Sequence, residues 1–139
     1  MIYLLIALAS QILCQIVKTA VYSVKERRFA YKYFISSGGF PSAHSSFCVS
    51  VTGAAGWVQG FNSPLFGVAA VFSFIVMHDA IRLRGLVADQ SRLLNKMQKD
   101  RGETGNLLNE HIGHTLTEVG AGALTGAAAV ALAAAIGMI

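Results

Sequence analysis

The stretch PSAHSSFCVSVTGAAGWVQGFNSPLFGVAAVFSFIVM, residues 41–77, contains no aspartate, glutamate, lysine or arginine. A membrane-spanning helix needs about 20 apolar residues, so this stretch is too long for one span and suits two. The turn-forming residues QGFNSP, at 59–64, separate its two halves. We therefore predict two helices, at about 42–59 and 64–82.

The two ends of the chain extend this pattern. Residues 1–17 carry no charged side chain, and residues 119–139 are again uncharged and rich in alanine and glycine. No basic residue precedes the first run, as one usually does in a secretory signal, so we interpret it as a retained span. Helices at about 1–24 and 113–138 complete an all-α, polytopic membrane helix bundle of about four transmembrane helices. One membrane-embedded domain then covers 1–139.

The charged residues lie between the apolar runs. They make up 13% of the chain, about half the fraction usual in soluble domains. Basic residues flank the apolar segments, which favours membrane anchoring over nucleic-acid binding. Segments 25–40 and 83–112 fall on one side of a four-span protein, which we predict to be cytoplasmic. Segment 83–112 also predicts a short amphipathic cytoplasmic helix, with an apolar side formed by Leu86, Leu93, Leu94 and Met97.

Small residues recur at a spacing of four, at Gly56 and Gly60 and again at Gly122 and Gly126. Such pairs let membrane helices approach closely, although a general glycine and alanine bias produces the same pattern. We predict a homodimer formed through the last helix. The two cysteines, at 14 and 48, lie in apolar segments and are interpreted as buried packing residues without a disulfide.

Ionisable residues gather at the predicted helix ends that face the cytoplasm. In membrane segments such residues are costly and usually functional. Gln11, Gln15 and Lys18 are spaced to share one helix face, which predicts a polar stripe directed into the bundle. Snorkelling to the membrane surface is the alternative for the lysine. The complete set at the helix ends is Lys18, His44, His78, Asp79, Arg82, Arg84, His111, His114 and Glu118.

Two of these positions indicate particular chemistry. His114 and Glu118 are four residues apart, so on a helix the carboxylate can hold one ring nitrogen and leave the other as nucleophile or base. A purely structural pair is the alternative. His44 follows the glycine-rich SGGFPSA, residues 37–43, where a helix N-terminus and the Ser42 hydroxyl can bind an oxyanion. A simple helix cap with an interfacial histidine is equally consistent.

Together these residues favour phosphoryl transfer. One histidine attacks phosphorus, cations hold the non-bridging oxygens, and a second histidine protonates the leaving group. A zinc site is the competing chemistry, with ligands drawn from His78, Asp79, His111 and His114. That set lacks a strong ligand spacing, so we expect no metal and no other cofactor.

Three motifs resemble a known family: GGFPSAHSS, MHDAIRLRG followed by DQSRLLN, and NEHIGHTLTEVGAGALTG. They are similar to the divergent type 2 phosphatidic acid phosphatases, relatives of acid phosphatases and vanadium-dependent haloperoxidases, over nearly the whole chain. The resemblance implies that His114 is the nucleophile that forms a phosphohistidine and that Glu118 orients it in place of aspartate. It implies that His44 is the general acid and that Lys18 binds phosphate.

The chain departs from the wider superfamily at several motif positions. Ala43 replaces the glycine of the proline-serine-glycine-histidine motif, and Leu108 stands where the third motif has arginine. Lys25 and Glu26 stand where the first motif ends in arginine-proline. The resemblance suggests Arg84 as the replacement phosphate clamp, with Arg82 as its rival. Ser42 and Gly39 complete the predicted phosphate site. The supporting positions without an assigned role are Asp79, Gln90, Asn95 and Gln15.

These observations predict a metal-independent lipid phosphate phosphatase of the bacterial inner membrane, with its active site at the cytoplasmic face. The expected partners are membrane lipids and a substrate such as phosphatidate, phosphatidylglycerophosphate or a polyprenyl (di)phosphate. The alternative is a non-catalytic protein that binds or carries lipid phosphates on the same scaffold. A haloperoxidase that uses bound vanadate is disfavoured by the membrane-embedded site.

Overall fold

The computed structural model describes residues 1–35, 38–102, 105–110 and 113–139. Within these ranges it is all-helical. The elements are α1 (Ile2–Glu26), a short 3-10 helix (Tyr31–Phe34), α2 (Ala43–Gln59), α3 (Pro64–Ile81), α4 (Leu83–Asp100) and α5 (Leu116–Ala135). The first three helices predicted from the uncharged runs are therefore present close to their expected bounds.

Helix α2 is the central helix of the bundle and packs against α1, α3 and α5. Ser42 caps the start of α2: its hydroxyl accepts the backbone N–H of Ser45, as serine commonly does before a helix. Helix α3 begins in the same way at Ser63, followed by Pro64, which has no N–H to leave unsatisfied. A small core formed by Ile6, Ala54, Val130 and Ala133 lies at the opposite end of the bundle from the first turn of α2.

Three segments are long and apolar enough to cross a membrane: Ile2–Glu26, Leu116–Ala135 and the apolar part of Pro64–Asp100. Helix α2 has 17 residues and is about 25 Å long, shorter than the roughly 30 Å hydrocarbon core of a bilayer. The prediction of four transmembrane helices is thus supported for three. Helix α2 is present as predicted, but its length does not establish that it spans the membrane.

Glycines in α5 allow it to touch the backbone of α2. A Cβ atom on Gly122 would collide with the carbonyl oxygen of Ser42, and one on Gly126 with that of Ser46. The four-residue spacing is therefore used within the chain, at the α2–α5 contact. The homodimer remains a prediction, and its interface would have to use a face of α5 other than the one that contacts α2. Cys14 and Cys48 are buried free thiols, as expected.

Hydroxyl groups join the helices at two further places. The Ser10 and Ser46 hydroxyls are 2.6 Å apart between α1 and α2. The Thr52 and Ser73 hydroxyls are 2.7 Å apart between α2 and α3, and the Ser73 hydroxyl also donates to the Cys48 carbonyl. Interhelical hydrogen bonds of this kind contribute about 0.6 kcal/mol on average in membranes. They fix the rotation of α1 and α3 against the central helix.

Helix α4 is the predicted amphipathic helix. Its buried residues are Ala88, Ser91 and Asn95. Leu86, Leu93, Leu94 and Met97 are exposed, as the prediction of one apolar side requires. Charged residues such as Arg92 and Lys96 occupy another exposed face. A helix with this pattern suits the membrane surface, and its cytoplasmic placement remains a prediction.

Candidate active site

His114 and Glu118 form the best-defined pair in the protein. The Nδ1 atom of His114 lies 2.9 Å from Oε2 of Glu118, and the histidine side chain is fully buried. The backbone N–H of His114 donates to the carbonyl of Ala80, where α3 ends. The ring is thus held by a carboxylate and the backbone by a second helix.

The pair forms by a different route from the one expected. We predicted a helix starting near 113, with both residues on it, but α5 starts at Leu116 and His114 precedes it. Thr115 caps the helix: its hydroxyl accepts the Glu118 N–H, and the Glu118 carboxylate accepts the Thr115 N–H. This reciprocal cap fixes the start of α5 just after His114, and the same carboxylate also contacts the histidine ring.

The second ring nitrogen of His114 is unusual. Nε2 is buried and has no hydrogen-bond partner among the described residues. A buried polar atom without a partner costs about 1–3 kcal/mol, so native structures rarely keep one without a reason. When the proton is on Nδ1, facing the carboxylate, the Nε2 lone pair is available. That is the state required of a nucleophilic histidine.

Lys18 lies beneath this pair, on the buried face of α1. It is 0% exposed and interacts electrostatically with Glu118. The expected stripe of three polar residues is only partly directed inward. Gln15 is half-buried, with an Oε1 atom that lacks a partner among the described residues, whereas Gln11 is exposed. The buried face instead runs through Ser10, Cys14 and Lys18, at intervals of four residues.

His44 and Arg84 approach the same place from α2 and α4. Arg84, His114 and Lys18 all act electrostatically on His44, so these four side chains form one cluster. His44 is the second residue of α2 and is exposed, whereas Arg84 is half-buried. The structure therefore brings together residues that are distant in the sequence, and Lys18 and Arg84 place positive charge near the proposed acid.

The predicted phosphate loop is described only in part, because Ser36 and Ser37 lie outside the described residues. Gly39 has a φ of 91°, which a side chain would strain, and a Cβ there would also meet the Tyr22 hydroxyl at 2.7 Å. The Ser42 N–H donates to the Glu118 carbonyl, and its buried hydroxyl caps α2. Ser42 thus joins α2 to α5, and its role in phosphate binding remains a prediction.

A cleft of about 810 Å³ opens beside His114. One wall is formed by α4, and another by the end of α1 and the segment that follows it. Gly113 lies next to α4, since a Cβ atom on it would come within 3.0 Å of Gly85 Cα. The residues that line the cleft include Tyr22, Tyr33, Gly39, Gly85, Ala88, Asp89, Arg92, Glu110, His114 and Glu118.

The supporting residues separate into distinct places. Asn95 is buried and clamps the segment before His114: its amide nitrogen donates to the Leu108 carbonyl and to Glu110, and its oxygen accepts the Leu108 N–H. Gln90 and Arg82 are exposed, and Asp79 is half-buried near the end of α3. Asn95 is therefore suited to hold the loop rather than a ligand.

The competing zinc set does not assemble in the part of the chain that the structure describes. No group of three or more histidine, cysteine, aspartate or glutamate residues there could hold a metal ion. His111, one of the four proposed ligands, lies outside the described residues. His78 is exposed and stacks on Phe74 at 6.2 Å between ring centroids.

Several residues at the site were not selected from the sequence, and Asn95 was named there without a role. Thr115 caps the helix beside the histidine, and Ser10 with Ser46 fixes α1 beside the lysine. Asn95 holds the loop before His114. The pattern Thr-x-x-Glu at 115–118 is a recognisable capping signal that could have identified the first of them. The asparagine clamp and the serine pair join residues 13 and 36 positions apart, and no local pattern predicts such contacts.

Comparison with known proteins places the chain among membrane proteins of one family. The model of the Divergent PAP2 family matches residues 2–129. The protein named "Uncharacterized membrane protein YuiD" from Bacillus subtilis (strain 168) is 30% identical over 138 residues, covering 88% of this chain and 87% of that protein. No solved structure matches. The apolar helices, the three motifs and this match over most of the chain agree, and the chain belongs to the Divergent PAP2 family.

Proposed function

We propose that this membrane protein is a metal-independent lipid phosphate phosphatase that works through a phosphohistidine at His114. The observation that carries the proposal is the His114 ring, with Nδ1 held by Glu118 and a buried Nε2 that has no partner among the described residues. A carboxylate on Nδ1 stabilises the positive charge that develops on the ring when Nε2 attacks phosphorus.

The neighbouring residues supply the other parts of the reaction. The Nε2 lone pair forms a bond to phosphorus while the bond from phosphorus to the lipid oxygen breaks, and His44 donates a proton to that oxygen. Lys18 and Arg84 offset the negative charge on the non-bridging oxygens. Water then attacks the phosphohistidine, His44 accepts its proton, and the phosphorus–nitrogen bond breaks to release phosphate.

A lipid substrate follows from the position of the cluster. His44 is in the first turn of α2, Arg84 lies just beyond α3, and Lys18 lies in the second half of α1, so a phosphate carried by a membrane lipid can reach them. Phosphatidate, phosphatidylglycerophosphate and polyprenyl (di)phosphates all have this chemistry. The proposal places the site at the cytoplasmic face of a bacterial inner membrane, because the basic segments flank it. A homodimer through an outer face of α5 belongs to the same proposal.

The second candidate is a protein that binds or carries lipid phosphates without hydrolysing them. Leu108 occupies a motif position where the superfamily has arginine, and Lys25–Glu26 replaces an arginine-proline pair. The N–H and the hydroxyl of Ser42 also have partners within the protein. A site with fewer phosphate donors binds a phosphate ester but stabilises the transition state less.

Phosphate release from a panel of lipid phosphates, measured in detergent with EDTA, distinguishes the two candidates. The wild type is compared with His114→Ala, His44→Ala and the control His78→Ala, which changes an exposed histidine that stacks on Phe74. We expect release that survives EDTA, is lost in the first two variants and persists in the third. Release that requires a divalent metal ion contradicts the mechanism. Folded wild type that binds these lipids and releases no phosphate supports the carrier.

A further inference from the structure

The cleft beside His114 is much larger than a phosphate group requires. Its volume is about 810 Å³, within the range of roughly 300–1,000 Å³ that holds whole small molecules. Its α4 wall is formed by Gly85, Ala88, Asp89 and Arg92, which share one helix face. At 1.5 Å per residue, this wall extends for about 10 Å away from the histidine. A substituent beyond the reacting phosphate therefore has room.

The charges along this wall disfavour a second phosphate. Arg92 is already paired, with Nη1 located 2.8 Å from Oδ1 of Asp89. Glu110 adds another carboxylate, which accepts a hydrogen bond from the Asn95 amide at 2.7 Å. The residues along this wall of the cleft thus carry compensated or negative charge. A diphosphate would place its additional negative charge against these carboxylates.

The same residues suit a group that carries hydroxyls. Carboxylate oxygens accept hydrogen bonds from hydroxyl groups. The wall formed by the end of α1 and the segment that follows it has a stacked pair, Tyr22 and Tyr33. Their ring centroids are 4.0 Å apart and their planes differ by 9°. The Tyr33 hydroxyl donates to Glu26 at 2.7 Å, and this bond raises the pKa of Tyr33, so its ring stays neutral. Aromatic surface beside carboxylates complements a polyol, whose C–H groups contact rings while its hydroxyls meet acceptors.

We propose that this cleft is a binding subsite for an uncharged polyol, so that the preferred substrate is a lipid whose phosphate is carried on a hydroxylated head group such as glycerol. The proposal rests on the proposed phosphatase function and narrows its substrate class. Phosphatidate lacks such a group, and in polyprenyl diphosphates the second phosphate is joined directly to the reacting one, where the polyol would lie. In phosphatidylglycerophosphate the glycerol separates the reacting phosphomonoester from the phosphodiester. Asp89, Glu110 and the tyrosine pair are the specificity residues.

Binding in lipid nanodiscs tests the subsite without relying on turnover. Calorimetry with glycerol 1-phosphate, inorganic phosphate and pyrophosphate should give the tightest binding for glycerol 1-phosphate. We expect about a fivefold advantage over inorganic phosphate, the effect of one net hydrogen bond. Asp89→Asn should remove that advantage and strengthen pyrophosphate binding, because it releases Arg92. The control Asp100→Asn makes the same charge change on an exposed residue outside the cleft. Equal binding of glycerol 1-phosphate and inorganic phosphate overturns the subsite.

Kinetics separates failure of the subsite from failure of the phosphatase proposal. In vesicles of one composition, kcat/KM should be higher for phosphatidylglycerophosphate than for phosphatidate, and Asp89→Asn should lower it for the first lipid alone. If both lipids are hydrolysed equally and Asp89→Asn affects neither selectively, the subsite is wrong and the phosphatase stands. If no lipid is hydrolysed but glycerol 1-phosphate keeps its binding advantage, the phosphatase is wrong and the polyol subsite stands.

Discussion

The bundle formed by α1, α2 and α5 and the arm formed by α3 and α4 are packed very differently. In the bundle, Lys18 and Ser42 are 0% exposed and His114 is 5% exposed. In the arm, α3 buries only Ser73 and Ala80. Its two candidate clamps are also less protected, since Arg84 is half-buried and Arg82 is exposed. Both regions reach the same site, but only one of them holds it inside a core.

This difference assigns different tasks to the two regions. The bundle fixes His114 and Lys18 through backbone contacts and buried side chains, so their relative geometry cannot change without disturbing the fold. Helix α3 packs along α2, and hydrogen bonds join the arm to the bundle at the Thr52–Ser73 hydroxyl pair and between the His114 N–H and the Ala80 carbonyl. The proposed nucleophile is therefore held from several sides, whereas the arginine of the arm is less enclosed.

The strongest way to break the bundle is to separate α5 from α2. In Gly122→Leu the new side chain collides with the Ser42 carbonyl, so we expect a loss of at least about 3 kcal/mol of stability and no activity. Thermal unfolding in detergent measures the change. Gly120→Leu is the matched control, because a Cβ atom there meets nothing within 4 Å. If both variants unfold at the wild-type temperature, the described α2–α5 contact is wrong.

The next change removes charge from the bundle and leaves its packing in place. Lys18→Met substitutes an apolar chain of similar length for a buried lysine, so we expect the folded protein to persist. Activity should fall by roughly 10²–10³, the usual effect of losing one group that stabilises transition-state charge. Lys25→Met, at an exposed position on the same helix, is the control. Unchanged kcat/KM in the first variant, with a normal melting temperature, excludes the lysine from the site.

Activity should be less sensitive to substitutions in the arm, and only one of its two arginines should affect it. Arg84→Gln should lower kcat/KM by about 10–100-fold, as expected for one charge-assisted hydrogen bond. Arg82→Gln should lower it less than about twofold, because an exposed charge contributes little. Steady-state rates of both variants on one lipid phosphate provide the comparison. A larger effect at Arg82 would reverse the assignment of the clamp.

The smallest effect is expected where the arm holds the loop that leads to His114. Asn95→Ala removes three hydrogen bonds to Leu108 and Glu110 and should lower activity about tenfold, the equivalent of 1.4 kcal/mol. Hydrogen exchange at residues 105–110 should accelerate, while the melting temperature of the bundle stays nearly constant. Gln90→Ala, an exposed position on the same helix, should change neither quantity. Hydrogen exchange at residues 105–110 that stays slow in Asn95→Ala would show that other contacts hold this loop.

Sequence patterns predicted the helices well, because uncharged runs and turn residues act locally. They also identified the proximity of His114 and Glu118, although the helix start was misplaced. A spacing of four residues is consistent with two geometries, and the Thr115 cap decided between them. The membrane count was less secure, since α2 is apolar but only 17 residues long.

The remaining features depend on contacts between distant residues. The Asn95 clamp, the Ser10–Ser46 pair and the close approach of Gly122 to Ser42 each need the assembled bundle. The exposure of Gln11 has the same origin: the packing of α2 determines which side of α1 is covered, and that side runs through Ser10, Cys14 and Lys18. The motif positions identified which residues meet at the site, and the tertiary contacts determined how each one is held.

Trapping the phosphorylated protein tests the central claim most directly. Wild type, His114→Asn and the control His78→Asn are mixed with a lipid carrying a ³²P-labelled phosphomonoester in the presence of EDTA, quenched in alkali and digested. We predict label on the peptide that contains His114, stable to alkali and released by acid, in wild type and in His78→Asn but not in His114→Asn. Release of phosphate without any labelled histidine, or label that persists in His114→Asn, would contradict the proposed mechanism.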